Sequence, residues 1–119
     1  MNKQELINRT QSYALRVIKV VQALPNDDVS SMLGKQLLRS GTSVGANYRA
    51  ACRAKSAADF LNKLKIVEEE CDESIYWMEL FVAAGSLSRR RLESLLKGSD
   101  EILSIVVSAI KTTRITRLS

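Results

Sequence analysis

The chain contains no histidine, one proline, two cysteines and five glycines, and aromatic residues make up only 5% of its 119 positions. Without histidine there is no imidazole base for a Ser-His-Asp or Cys-His arrangement, and the Glu-x-x-His pairs of dinuclear carboxylate bundles are excluded. Neither a GxGxxG turn nor a Walker loop is present, so no nucleotide cofactor is expected and the chain reads as a non-enzyme. The scarcity of proline and aromatics argues against a sheet protein, whose strands need β-branched and aromatic runs divided by turns. Cys52 and Cys71 lack CxxC spacing and fall among apolar helix positions, which reads as buried free thiols in a reducing cytoplasm. No apolar run is long enough to span a bilayer, and Met1 to Glu5 leads directly into a polar amphipathic stretch, so neither a membrane span nor a signal peptide is expected.

What is present is a single domain's worth of chain, 45% hydrophobic, with 18 basic against 13 acidic residues. Five of the acids, Glu68, Glu69, Glu70, Asp72 and Glu73, sit together, so the remainder is markedly basic. Basic surface of this kind suits nucleic acid or an acidic protein face. The apolar spacing divides the chain into four helices, at about Lys3 to Ala23, Val29 to Ala54, Ala57 to Ala84, and from Ser86 or Ser88 to about Thr113. Pro25 with Asn26 and Asp27 ends the first and caps the second. Ser56 caps the third, with Asp59 three residues on, and Gly85 stops it. Gly98-Ser99 is expected to interrupt or bend the fourth, and Arg114 and Arg117 form a basic tail. Helices of this length with connections this short define an all-α, antiparallel up-down-up-down four-helix bundle.

The second helix is the unusual one. Gly34, Gly41, Gly45 and Cys52 share a stripe, and glycine inside a helix costs about 1 kcal/mol relative to alanine, so close approach of another helix is expected there. A polar stripe of Gln36, Ser40, Ser43 and Asn47 reads as buried hydrogen bonding that fixes register. A basic stripe, Lys35, Arg39, Thr42, Ala46, Arg49 and Arg53, steps by three and four over roughly 27 Å. Three readings stand for it: contact with phosphates, pairing with the acidic cluster of the third helix, or an idle solvated face. The acidic cluster fans around its helix, which fits a salt-bridged subunit contact better than a metal site. Trp77 shares a stripe with Ile66, Glu70, Glu73 and Leu80, and belongs either to the edge of a subunit interface or to the core. Arg89, Arg90 and Arg91 open the fourth helix, the end at which the helix dipole disfavours cations, so an anionic partner is expected there.

The runs Gln36-Leu37-Leu38-Arg39-Ser40, Thr42-Ser43-Val44-Gly45-Ala46-Asn47-Tyr48, Arg53-Ala54-Lys55-Ser56, Asp59-Phe60 and Lys65-Ile66-Val67-Glu68-Glu69-Glu70 carry a resemblance. Together with Asp72-Glu73-Ser74 and Tyr76-Trp77, they resemble the bacterial four-helix-bundle family of the 23S ribosomal RNA intervening-sequence proteins. The resemblance implies a small antiparallel bundle assembled as a ring-like homo-oligomer, a pentamer. It also implies partners among ribosomal RNA or the reverse transcriptases of diversity-generating retroelements, where distant relatives act as nucleic-acid-binding accessories. Many relatives carry an acid where this chain has Ala50, which leaves Arg49 or Arg53 freer here.

The expectation is a cytoplasmic, homo-oligomeric, non-enzymatic protein that binds RNA or DNA through Lys35, Arg39, Arg49, Arg53, Arg89, Arg90 and Arg91. Its subunit contacts are expected at Glu69, Glu70, Glu73 and Trp77. The alternative is a protein-binding adaptor or scaffold whose charged faces pair between subunits.

Overall fold

The computed structural model describes residues 1–118, with side chains through residue 116. Four helices, α1 (Lys3–Gln22), α2 (Asp28–Ala51), α3 (Ala57–Ala83) and α4 (Arg89–Leu118), pack into a rod of 51 × 22 × 20 Å. Each helix touches its two neighbours in the order α1, α2, α3, α4 and back to α1. Cross-helix contacts give the directions. Arg9, Tyr13 and Arg16 of α1 meet Glu101, Ser99 and Ser94 of α4, so one number rises as the other falls and the pair is antiparallel.

Local chemistry sets the helix ends. Asn2, Asp27, Ser56 and Ser88 each accept from a backbone N–H three residues on, at 2.8, 2.8, 3.0 and 3.2 Å, which satisfies donors that the first turn leaves orphaned. At the end of α3, Gly85 adopts φ +78°, and Ser86 N–H reaches back to the Phe81 carbonyl at 3.0 Å. That is a Schellman closure, in which glycine takes the left-handed position at no steric cost. Two boundaries differ from the periodic reading. The second helix stops at Ala51, because Arg53 and Ala54 donate to carbonyls only three residues back and so tighten into a turn. The fourth runs unbroken through Gly98-Ser99 and on to Leu118. Ser99 does not interrupt it, since its hydroxyl lies 2.9 Å from the Leu95 carbonyl one turn earlier and its side chain is buried. Arg114 is therefore exposed on a helix, and the side chain of Arg117 lies outside the described residues.

The core runs the length of the rod, with Leu6, Tyr13, Val17, Leu37, Val44, Leu64, Val67, Met78, Phe81, Leu92, Ile102 and Val106 all buried. On α3 the buried set is Leu61, Leu64, Val67, Cys71, Ser74, Met78 and Phe81, alternating by three and four from Leu64 onward. Ile75 and Val82, apolar like the seam residues, stand half-buried beside it. The glycine stripe lies where α1 and α2 touch. A Cβ on Gly41 would stand 2.8 and 2.9 Å from the two methyls of Val17, and one on Gly34 would stand 2.8 Å from Leu24 Cδ1.

Midway along the rod, side chains from all four helices form a buried polar layer. The Tyr13 hydroxyl lies 2.7 Å from Ser99 Oγ, and Ser74 Oγ lies 2.9 Å from Ser40 Oγ. Cys71 Sγ donates to the Ser99 carbonyl at 3.4 Å. Because Ser99 spends its proton on Leu95, Tyr13 is the donor to Ser99. Every buried side-chain nitrogen and oxygen among the described residues has a partner. Such a layer penalises any slip in register, because a shifted helix would leave these groups unpaired. Of the polar stripe on α2, only Ser40 takes part. Ser43 and Asn47 are half-buried and bond back to their own helix, at 2.7 and 2.8 Å.

Burial sets a pH limit on this layer. It pushes Tyr13 from 10.0 up to about 12 and Cys71 from 9.0 up to about 12. Above pH 9 the unfolded chain releases these protons while the folded one holds them, so stability is full below that pH and is lost as pH climbs toward 12. Tyr13 alone contributes a loss of about 2–3 kcal/mol by the top of that window. Urea midpoints at pH 8, 10 and 11.5 should fall in order.

Candidate nucleic-acid interface

The basic stripe of α2 lies on the outside of the bundle, with Lys35, Arg39, Ala46, Arg49 and Arg53 all exposed. Its two halves have different surroundings. Arg39 leans across the α2–α3 seam, where its guanidinium pairs with Glu73 and, at 3.4 Å, with Glu70. The Glu73 hydrogen bond and charge hold Arg39 above its ordinary range. Glu73 also accepts from Trp77 Nε1 at 3.2 Å. The indole is half-buried against the core, and its ring meets Tyr76 edge-on at a centroid distance of 5.0 Å. Arg39, Glu70, Glu73 and Trp77 thus form one cluster within a single chain.

One end of the bundle, at the α2–α3 turn, is organised differently. Arg49 and Arg53 make no ion pair or side-chain hydrogen bond among the described residues. Arg49 projects from the last turn of α2, where the dipole favours a cation. Arg53 sits one residue past the helix cap, in the turn. With Ala46, Ala50 and Lys63 they line a groove of about 530 Å³ whose walls carry no acid. Ala50 is the position where the resemblance leads one to expect a carboxylate, and neither guanidinium meets one among the described residues. Lys63 is anchored at 2.6 Å by Asp59, whose other oxygen accepts from Lys55 N–H at 3.1 Å. The Lys63 bond, followed by the Lys55 one, holds the Asp59 carboxyl below its ordinary range. Small side chains at 46 and 50 make the floor, and three cations make the walls.

The other expected basic residues lie elsewhere. Arg89, Arg90 and Arg91 occupy the first turn of α4, exposed, with no acid in that turn and no ion pair among the described residues. They sit at the α3–α4 turn, the opposite end of the rod from Arg49 and Arg53. Lys35 lies toward the Arg89 end but on α2, which does not touch α4. The seven cations are therefore not one site. Glu69 is exposed on α3, on the side that also presents Ile66 and Tyr76, 39% and 55% exposed. Among the described residues no three acidic or thiol side chains converge on a common point. No helix among them is long and apolar enough to cross a membrane.

Sequence reasoning expected buried hydrogen bonding at Ser40 and missed the partners of the layer on the other three helices. Their signal was Tyr13, a phenol in an otherwise apolar seam whose hydroxyl must find a partner, and Ser99, in phase with Leu92, Leu95, Ile102 and Val106.

An all-α antiparallel bundle with an asymmetric charge distribution is the class that fold and surface define. The chain belongs to the 23S rRNA-intervening sequence protein family, whose profile matches residues 2–108. It is similar to a crystal structure from Bacteroides thetaiotaomicron, described as a protein with unknown function from the S23 ribosomal protein family. The two are 38% identical with a TM-score of 0.87, over 93% of this chain and 99% of that one. No match was found among curated proteins.

Proposed function

We propose that this protein is a non-enzymatic, cytoplasmic nucleic-acid-binding protein that grips the backbone of RNA through the Arg49, Arg53 and Lys63 groove. The observation that carries this reading is the groove itself: three cations around a small-residue floor, two of them unpaired, with no carboxylate among the lining residues. Phosphate contact needs cations held in place and little else, and arginine adds bidentate geometry. The family's name, which refers to 23S rRNA, favours RNA over other polyanions.

In the same proposal the chain works as a homo-oligomer, a pentamer by its family resemblance, with Trp77, Glu69 and their exposed neighbours Ile66 and Tyr76 at the subunit contact. Lys63, Glu70 and Trp77 are spaced by seven on α3 and so share one side of it, which supports a ring that sets the grooves of successive subunits side by side. Repetition turns weak individual contacts into useful avidity. Arg89, Arg90 and Arg91 extend the contact at the far end of the rod.

The test is size-exclusion chromatography with light scattering, on nuclease-treated and untreated protein, followed by titration of a labelled single-stranded RNA at several salt concentrations. An oligomer that sheds nucleic acid on treatment, with log K falling against log salt at a slope of about −2 per three-cation groove, supports the reading. A clean oligomer that binds neither RNA nor DNA at low salt overturns it in favour of a protein adaptor.

A further inference from the structure

A second cationic recess lies away from the α2 groove, between α1 and α4. It has a volume of about 270 Å³ and is lined by three cations, Arg9, Arg16 and Lys97, with one carboxylate, Glu101. Arg9 closes one end by pairing with Glu101. Arg16 closes the other, with its Nη2 donating to Ser94 Oγ at 2.9 Å. Between them lie Ser12, Lys97 and Gly98. Neither Lys97 nor Ser12 has a side-chain partner among the described residues, and the Ser94 hydroxyl, which accepts from Arg16, keeps its own proton to give. Donors from two helices thus converge on a recess that holds no matching acceptor beyond the carboxylate already paired to Arg9.

Gly98 gives the recess its floor. An interior helical glycine is costly, and at this one an added Cβ would stand 3.3 Å from Arg16 Nη1, the only neighbour within 4 Å. No helix packs so closely here that glycine is required, unlike Gly41. Its missing side chain lets the Arg16 guanidinium lie directly over the helix.

We infer that this recess is a binding site for a phosphate dianion, held by Arg16, Lys97, Ser12 and Ser94, with the Arg16 guanidinium seated over Gly98. Arginine supplies planar paired donors, lysine a point charge, and the two hydroxyls neutral donors, a set that matches tetrahedral oxygens. The volume admits inorganic phosphate or a phosphomonoester with a small substituent, and lies just below the ~300 Å³ at which pockets for larger organic ligands begin. The site is independent of the α2 groove and stands or falls without it.

The test is a titration of the isotope-labelled full chain with sodium phosphate, followed by backbone amide shifts, against sodium chloride at matched pH and ionic strength. Saturable shifts confined to the neighbourhoods of Ser12, Arg16 and Gly98, absent with chloride, are expected. Lys97→Ala should raise the Kd about tenfold, the change expected from one charge-assisted hydrogen bond. Gly98→Ala should weaken the saturable shifts while raising the melting temperature in phosphate-free buffer, because alanine is the better helix former and its methyl displaces the Arg16 guanidinium from its seat. Arg49→Glu with Arg53→Glu should leave phosphate binding unchanged, which separates this site from the proposed RNA groove. In that double variant, RNA bearing a 5′-phosphate binding more tightly than the same RNA with a 5′-hydroxyl identifies a polynucleotide end as the source. Equal binding of the two identifies a free or small-molecule phosphate. Shifts that chloride reproduces, or that persist undiminished in both Lys97→Ala and Gly98→Ala, overturn the assignment.

Discussion

Reversing Arg49 and Arg53 together to glutamate should weaken binding of single-stranded RNA about 100-fold at low salt and flatten the remaining salt dependence, because two of the three cations of the groove become anions. The fold should tolerate the change. Both side chains are exposed and unpaired among the described residues, so only the favourable placement of Arg49 at the α2 C-terminus is lost, about 0.5 kcal/mol. Lys63 stands close enough to offset part of the reversed charge. Arg39→Glu is the informative contrast. It sets a third carboxylate against Glu70 and Glu73, so its effect should appear in thermal stability and in Trp77 fluorescence, with RNA affinity little altered. Light scattering on all three proteins checks the remaining possibility. If the Arg49→Glu, Arg53→Glu protein loses its oligomer as well as RNA, those arginines belong to the subunit contact and the groove reading fails.

The contrast between Arg39 and Arg49 also marks where sequence stops informing. Helix number, order and caps were readable, because Asp27, Ser56 and Gly85 act on backbone groups only a few residues away. The phase of α3 was harder. A hydrophobicity argument chooses Ile75 for the seam, whereas the three-four alternation from Leu64 selects Ser74, whose hydroxyl is satisfied in the core by Ser40 of α2 and by the Glu70 carbonyl. On α2, in the same way, Tyr48 and not Asn47 occupies the core. Gly98-Ser99 reads locally as a break, yet the helix persists because Ser99 is satisfied by its own Leu95 carbonyl and by Tyr13 across the bundle. The basic stripe was legible as a face, but its division into a neutralised and a free half depends on which acids the antiparallel register delivers. That register puts Glu70 and Glu73 beside Arg39 and puts the alanines beside Arg49. Charge pairing across helices is a tertiary property, and one helix's periodicity carries no information about it.

Gly41→Val should destabilise the bundle by about 3 kcal/mol or more, the largest stability effect expected from one added side chain at the α1–α2 contact. The Cβ alone would lie 2.8, 2.9 and 3.1 Å from Cγ1, Cγ2 and Cβ of Val17. Val17 is fully buried and β-branched, so it has no free rotamer into which to withdraw. Relief requires α1 to move outward, which opens the contact below Gly34 and Gly45 as well, since Thr10 and Leu24 pack on the same ridge. Gly41→Ala meets the same clash with a smaller group and gains about 1 kcal/mol of helix propensity, so its net cost should be nearer 1–2 kcal/mol. Gly98→Ala carries the same propensity gain against only the flexible tip of Arg16, so its sign should be opposite, a stabilisation of up to ~1 kcal/mol. Urea denaturation of the three variants decides the matter through midpoints at constant slope. If Gly41→Ala proves as stabilising as Gly98→Ala, then α1 and α2 are not in direct backbone-to-valine contact, and the glycine stripe must serve a surface outside the single chain.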